Sequence, residues 1–166
     1  NSYTVDQLQE MLSLYGEVTN AKTLALSIVE ARKQHSYKTI QDLINVLAAL
    51  AKGNPNRYYA QVFQAFRIEV NEEMNALKEM LMQLPSVLKP AARAAIITFH
   101  SLEDRLVKNI FTKYLEDTID ETTGQIKIRS KYKKYTKKPI IPTDEEISRN
   151  PRSRSAKMRI IERIAI

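Results

Sequence analysis

The sequence predicts an α/β protein, a mostly helical first part followed by a smaller part that contains β-structure. Three observations carry that expectation. Apolar residues recur at helical spacing as far as Leu84, a short apolar run without alternation (94–99) follows Pro85, and a second apolar run (158–166) closes the chain.

Thr4 is placed to cap a first helix, whose Leu8, Met11, Leu12 and Tyr15 fall at i, i+3, i+4 and i+7 and which Gly16 can end. A second helix carries Leu24, Ala25, Ile28 and Val29, with Arg32 and Lys33 near its C-terminus, where positive charge suits the helix dipole. Thr39 and Asp42 have capping-box spacing and open a third helix through Leu43, Ile44, Val46, Leu47 and Leu50, closed by Gly53. Asn54-Pro55-Asn56 reads as a turn. One long helix is expected from Tyr59 to Leu84, because Phe63, Phe66, Val70, Met74, Leu77 and Leu81 keep a helical repeat with no internal Gly or Pro. Beyond Pro85, Ala94–Phe99 reads as a buried parallel strand because it does not alternate. Ser101-Leu102-Glu103-Asp104 has capping-box spacing and opens a helix with Leu102, Leu106, Val107, Ile110, Phe111 and Tyr114, giving a βα unit. The turn Thr122-Thr123-Gly124 leads into an extended Gln125–Arg129, Thr143 and Glu146 frame a short helix, and Met158–Ile166 reads as a last strand.

Composition narrows the function classes. The chain has no Cys, which excludes disulfides and thiolate metal sites, and only two His, His35 and His100, so no metal site is expected. No apolar run reaches the roughly 20 residues of a membrane span, and no signal-peptide pattern opens the chain. A soluble, cytoplasmic protein without a membrane partner is the expectation. The net charge of +7 is uneven: residues 1–85 hold 8 basic and 9 acidic residues, residues 86–166 hold 18 and 10. A basic second half suggests a polyanion partner, nucleic acid first, against the alternative of a solvated Lys/Arg face.

Each candidate motif admits two readings. Phe99-His100-Ser101-Leu102-Glu103-Asp104 lies at the carboxyl end of the predicted strand, where open α/β sheets bind ligands and helix N-termini favour anions; alternatively Ser101 and Asp104 cap the helix while His100 packs. A Ser-His-Asp hydrolase does not fit, since nothing resembles a nucleophile elbow. Asn150–Lys157 sets Arg152, Arg154 and Lys157 among small hydroxyl residues, as a phosphate grip or as a solvated loop. Lys131–Lys138, interleaved with Tyr132 and Tyr135, suits RNA by charge and stacking, or an edge strand guarded by lysines. Arg67 and Asn71, one turn apart, can reach a ligand or satisfy a domain interface.

Three segments together resemble the ribosomal RNA small subunit methyltransferase H family: residues 63–74 (Phe-Gln-Ala-Phe-Arg-Ile-Glu-Val-Asn-Glu-Glu-Met), 97–108 (Ile-Thr-Phe-His-Ser-Leu-Glu-Asp-Arg-Leu-Val-Lys) and 150–159 (Asn-Pro-Arg-Ser-Arg-Ser-Ala-Lys-Met-Arg). Their order and separation match as well. The resemblance implies an S-adenosylmethionine-dependent methyltransferase that modifies N4 of a cytidine in 16S ribosomal RNA, acting on the small ribosomal subunit. It also implies a class I (Rossmann-like) methyltransferase sheet with a helical insert. On that mapping residues 1–58 are the helical substrate-recognition insert, 59–85 the long connecting helix, and 86–166 the last three strands, a βα unit and β-hairpin. Departures are Phe66 for the usual Leu, Ala91-Ala92 for a Gly pair, and Asn56–Ala60 where a His-Pro-Ala segment is usual. The glycine-rich cofactor turn has no counterpart among Gly16, Gly53 and Gly124, so the chain reads as a C-terminal fragment that does not bind the cofactor tightly by itself. His100 and Ser101 are candidates for the base pocket, and Arg67, Lys108, Arg152, Arg154 and Lys157 for RNA contacts. A sheet with the strand around Ile96 at its boundary leaves an apolar edge, implying a homodimer through that edge. The competing reading is a non-catalytic RNA- or ribosome-binding module.

Overall fold

A computed structural model describes residues 1–51 and 53–165, which divide into two compact units, 1–73 and 74–166.

The first unit is a bundle of α1 (Val5–Gly16), α2 (Ala21–Gln34), α3 (Ile40–Ala48) and α4 (Pro55–Val70). Thr4 and Gln7 close a reciprocal capping box at α1, and Thr39 and Asp42 do so at α3. Asn54 caps α4 and Pro55 takes its first position, so the expected turn is a helix start; Pro55 has no N–H to lose there. Leu12, Leu24, Ala25, Leu47, Val62 and Ala65 are fully buried at the centre of this core. Gly16 stays inside α1, while Glu17 takes the left-handed cap at φ 50°. A Cβ at Gly16 would stand 2.8 Å from the Gln61 carbonyl and 2.9 Å from Val18, so glycine serves the close approach of α1 to α4.

The expected single helix from Tyr59 to Leu84 is two helices, α4 and α5 (Glu73–Val87). Glu72 turns left-handed (φ 51°), and the Glu73 carboxylate receives both Arg67 Nε at 2.9 Å and Arg67 Nη2 at 3.0 Å, with Asn71 Nδ2 at 3.1 Å. That fork holds the end of α4, where periodicity shows no interruption. Pro85, expected to end the helix, lies within α5. Its missing N–H orphans the Leu81 carbonyl, and the Tyr114 hydroxyl donates to that oxygen at 2.9 Å.

In the second unit β1 (Arg93–Thr98), β4 (Tyr132–Lys134) and β5 (Lys157–Arg163) form a sheet in the order β1-β5-β4. The predicted parallel strand is corrected: β1 pairs antiparallel with β5, from Arg93 opposite Glu162 to Thr98 opposite Lys157. Only one of its faces is buried, through Ala94, Ile96 and Thr98, which is why its apolar run does not mark a strand covered on both sides. Ala94 and Ile161 pack with Leu81 and Leu84 of α5 and with Val107 and Phe111 of α6 (Ser101–Leu115). On the opposite face Glu162 accepts from Arg93 at 2.8 Å and Lys133 at 2.9 Å. β2 (Thr118–Ile119) and β3 (Ile126–Ile128) make a separate two-stranded ribbon, and α7 (Asp144–Arg149) precedes a 3₁₀ turn at Pro151–Ser155.

The turn into β1 is made by Ala91-Ala92 without a glycine. Ala91 itself is left-handed (φ 63°), and its N–H donates to the Arg163 carbonyl at 2.9 Å. A Cβ in that region costs about 1–2 kcal/mol. Ala91→Gly should therefore stabilise the chain by about 0.5–1 kcal/mol after the added unfolded-state entropy, read as a raised denaturant midpoint; an unchanged or lowered midpoint would contradict the strain.

Candidate functional site

The capping box that opens α6 is shifted one residue from its expected place. His100, in extended conformation, is the cap: its Nδ1 accepts from the Glu103 N–H at 3.4 Å, while Glu103 Oε2 accepts from the N–H groups of Phe99 (2.8 Å) and His100 (3.2 Å). The His100 Nε2 is buried and, although 3.4 Å from Glu103 Oε1, makes no hydrogen bond among the described residues.

The shift frees Asp104 for a different task. Its carboxylate takes a two-pronged bond from Arg159, Nε to Oδ1 at 2.7 Å and Nη2 to Oδ2 at 3.0 Å, with Lys157 Nζ 3.6 Å from Oδ2. The Asp104 side chain is 12% exposed and that of Arg159 19%. Arg159, aided by Lys157, holds the Asp104 carboxyl below the usual carboxylate range against the opposing effect of burial. Lys157 faces Thr98, whose hydroxyl donates to the Lys157 carbonyl at 3.2 Å. The second and third sequence motifs, 97–108 and 150–159, are thus joined by strand pairing and one charge cluster.

Ser101 lies exposed at the first position of α6. Arg152 and Arg154 point outward from the 3₁₀ turn, which is locked by the buried Ser153 hydroxyl donating to the Asn150 carbonyl at 2.8 Å. Lys108 is exposed on α6, and Arg67 belongs to the first unit with its guanidinium forked on Glu73. The structure brings His100, Ser101 and Lys157 to one end of the β1–β5 pair. Of the tyrosines in the Lys/Tyr stretch, Tyr132 packs against Tyr114 with centroids 5.4 Å apart, while Tyr135 stays half exposed with the Arg93 guanidinium 4.0 Å over its ring. Arg159 as the partner of Asp104 was missed from sequence, because spacing along a chain gives no signal for a pair 55 residues apart.

The fit to S-adenosylmethionine can be tested at the turn between β1 and α6. It contains no glycine, and its Phe99 and His100 amides are occupied by Glu103. Gly53 and Gly124 have no neighbouring atom within 4 Å of an added Cβ, and Gly16 is packed in the helical core. The described residues do not form a cradle for that cofactor. The helical unit, by contrast, has an apolar cleft of about 450 Å³ bordered by Tyr3, Met11, Ile28, Tyr37, Leu43 and Phe66. Among the described residues no cluster of metal ligands occurs, and no helix is long and apolar enough to cross a membrane.

Acid should release the Asp104 cluster in a defined sense. A lowered folded-state pKa adds stability that is complete above about pH 4, the unfolded carboxylate value, and is lost as pH falls through the folded value. Asp104→Asn should cost about 2 kcal/mol at neutral pH, less than the roughly 3–5 of a fully buried pair because Lys157 is half in water, and should flatten the acid limb of stability against pH. An unaltered acid limb would show that Asp104 does not titrate as described.

The profile of the MraW methylase family matches residues 1–164. Similar curated proteins are the ribosomal RNA small subunit methyltransferase H of Azobacteroides pseudotrichonymphae, 46% identical over 99% of this chain and 54% of that protein, and that of Parabacteroides distasonis, 46% identical with the same coverage. That of Cytophaga hutchinsonii is 48% identical over 98% of this chain and 55% of its own length. The chain spans about half the length of the curated relatives it matches.

Proposed function

The chain belongs to the MraW methylase family, and from that membership we propose that it forms the C-terminal portion of an S-adenosylmethionine-dependent enzyme that methylates N4 of a cytidine in 16S ribosomal RNA. The observation that carries the reading is the union of the two motifs at one end of the β1–β5 pair through Asp104, Arg159 and Lys157. The order β1-β5-β4, with β1 outermost, supports a class I sheet in which this chain supplies the last three strands. The helical unit is the substrate-recognition insert.

The exocyclic amine of cytosine is a poor nucleophile because its lone pair is delocalised into the ring. The base has to be splayed from the RNA and its amine oriented, so positioning supplies most of the rate enhancement. The cofactor supplies an electrophilic methyl group, and no residue described here is assigned to it. His100 acts as a positioning residue that fixes the turn, and Ser101 stands beside it next to the target base. Arg67, Lys108, Arg152, Arg154 and Lys157 face the RNA backbone on the small subunit. In this chain the free edge of β1 pairs with a second copy: among the described residues β1 bonds only β5, and Ile97 and Phe99 are more than half exposed.

Incubation of small ribosomal subunits with the complete gene product and S-adenosylmethionine should raise N4-methylcytidine in nuclease digests measured by mass spectrometry; no rise would overturn the reading. With the same product, Arg152→Ala should lower the slope of log binding constant against log salt by about one unit, and an unchanged slope would remove Arg152 from the interface. Sedimentation of the 166-residue chain at high concentration should show dimers, and a monodisperse monomer would exclude the edge pairing.

A further inference from the structure

The chain after β4 does not run straight along β5. Tyr135 N–H donates to the Ile160 carbonyl (3.2 Å) and Ile140 N–H to the Met158 carbonyl (2.8 Å), so five steps on one side match two on the other. The surplus is a bulged loop at Thr136–Pro139, tightened by the Thr136 hydroxyl donating to the Lys138 carbonyl at 2.7 Å. Bulges of this kind re-aim side chains. Here the loop closes a cavity of about 90 Å³ lined by Lys108, Thr112, Lys134, Lys137, Lys138 and Arg159, with Phe111 and Ile160 as apolar wall.

Among the described residues no acidic one lines this cavity. Arg159 is already matched by Asp104, but none of the four lysines forms an ion pair among the described residues. Four lysines on one cavity rim give an entering anion favourable charge from several sides. The volume, roughly that of three waters, suits a single oxyanion. Neither Tyr132, packed on Tyr114, nor Tyr135, under Arg93 on one face, lines this cavity, so the site itself offers charge. We infer that this lysine bulge is a phosphate site that grips one backbone phosphate of the RNA without reading its sequence. The inference rests on the proposed RNA substrate, and it adds Lys134, Lys137 and Lys138 to that interface.

The test uses the 166-residue chain, a fluorescein-labelled single-stranded RNA oligonucleotide and inorganic phosphate. K134Q/K137Q/K138Q should bind the RNA at least about tenfold more weakly at 0.1 M salt, with a salt slope lower by about 0.7 unit, the loss of one phosphate contact. K134R/K137R/K138R should bind as the parent does, and Lys22→Gln on the helical unit should change neither quantity. Inorganic phosphate should shift the side-chain NMR signals of Lys108, Lys134, Lys137 and Lys138 selectively. RNA binding with an unaltered slope in the triple Gln variant would overturn this site while leaving the RNA reading intact. Phosphate shifts in a chain that binds no RNA would overturn the RNA assignment together with the reading on which it rests. Absent phosphate shifts would overturn the anion site itself.

Discussion

The bond between Asp104 and Arg159 ties the start of α6 to β5. A carboxylate largely buried in the first turn of α6 requires a cation, and β5 brings two there, Arg159 and Lys157. Side chains alternate along a strand, so Lys157, Arg159, Ile161 and Arg163 share one face of β5. Each meets a different demand on that face. Lys157 and Arg159 neutralise Asp104, Ile161 enters the core, and Arg163 Nη1 donates to the carbonyls of Pro85 (3.3 Å) and Leu88 (2.6 Å) at the end of α5. A slip of one residue would turn Met158, Ile160 and Glu162 inward, leaving the carboxylate unpaired and burying another. Charge and hydrophobicity therefore specify the same register.

The same contacts divide the basic half into two populations. Arg93 and Lys133 balance Glu162, Arg149 pairs with Glu145, Arg159 and Lys157 hold Asp104, and Arg163 serves helix carbonyls. These cations are structural, wholly or in part. The cations that a polyanion would meet include Lys108, the lysine bulge and the 3₁₀ turn carrying Arg152 and Arg154, together with the exposed Lys89, Lys113, Lys127, Arg129 and Lys131. Net charge alone cannot make this division, because it counts a guanidinium locked on a carboxylate the same as one in water.

Local chemistry was legible where it was self-sufficient. The caps at Thr4, Thr39 and Thr143 follow from hydroxyl side chains and three-residue spacing, and the turn 122–124 from Thr122-Thr123-Gly124, with Asp120 Oδ1 accepting from the Thr122 and Thr123 amides in the structure. The cap of α6 was misplaced because Ser101-Asp104 and His100-Glu103 have the same spacing, and the distant Arg159 decides between them. The long helix failed for a similar reason. Residues 59–84 contain no breaker, and the interruption is held by the Arg67–Glu73 fork with Glu72 left-handed. Pro85 misled in the opposite sense, since Tyr114 satisfies the carbonyl it orphans. Of the site, the motifs were visible in sequence, whereas their junction and the lysine bulge depend on strand pairing.

The start of α6 and the lysine bulge are the two places in this unit where a negative ligand would ordinarily be sought, and electrostatics separates them. A helix N-terminus attracts anions through its free N–H groups and dipole. At α6 Glu103 accepts from the Phe99 and His100 amides, and the His100 ring accepts from the Glu103 amide, while Asp104 is matched by Arg159 and Lys157. A phosphate placed there would meet the Glu103 carboxylate, whereas a neutral base beside Ser101 would not. Lys108 lies one turn beyond Asp104 on the same helix and lines the bulge cavity together with Lys134, Lys137 and Lys138. The two ends of this short stretch thus favour different parts of one nucleotide chain, an uncharged ring at the helix start and a charged backbone group at the bulge.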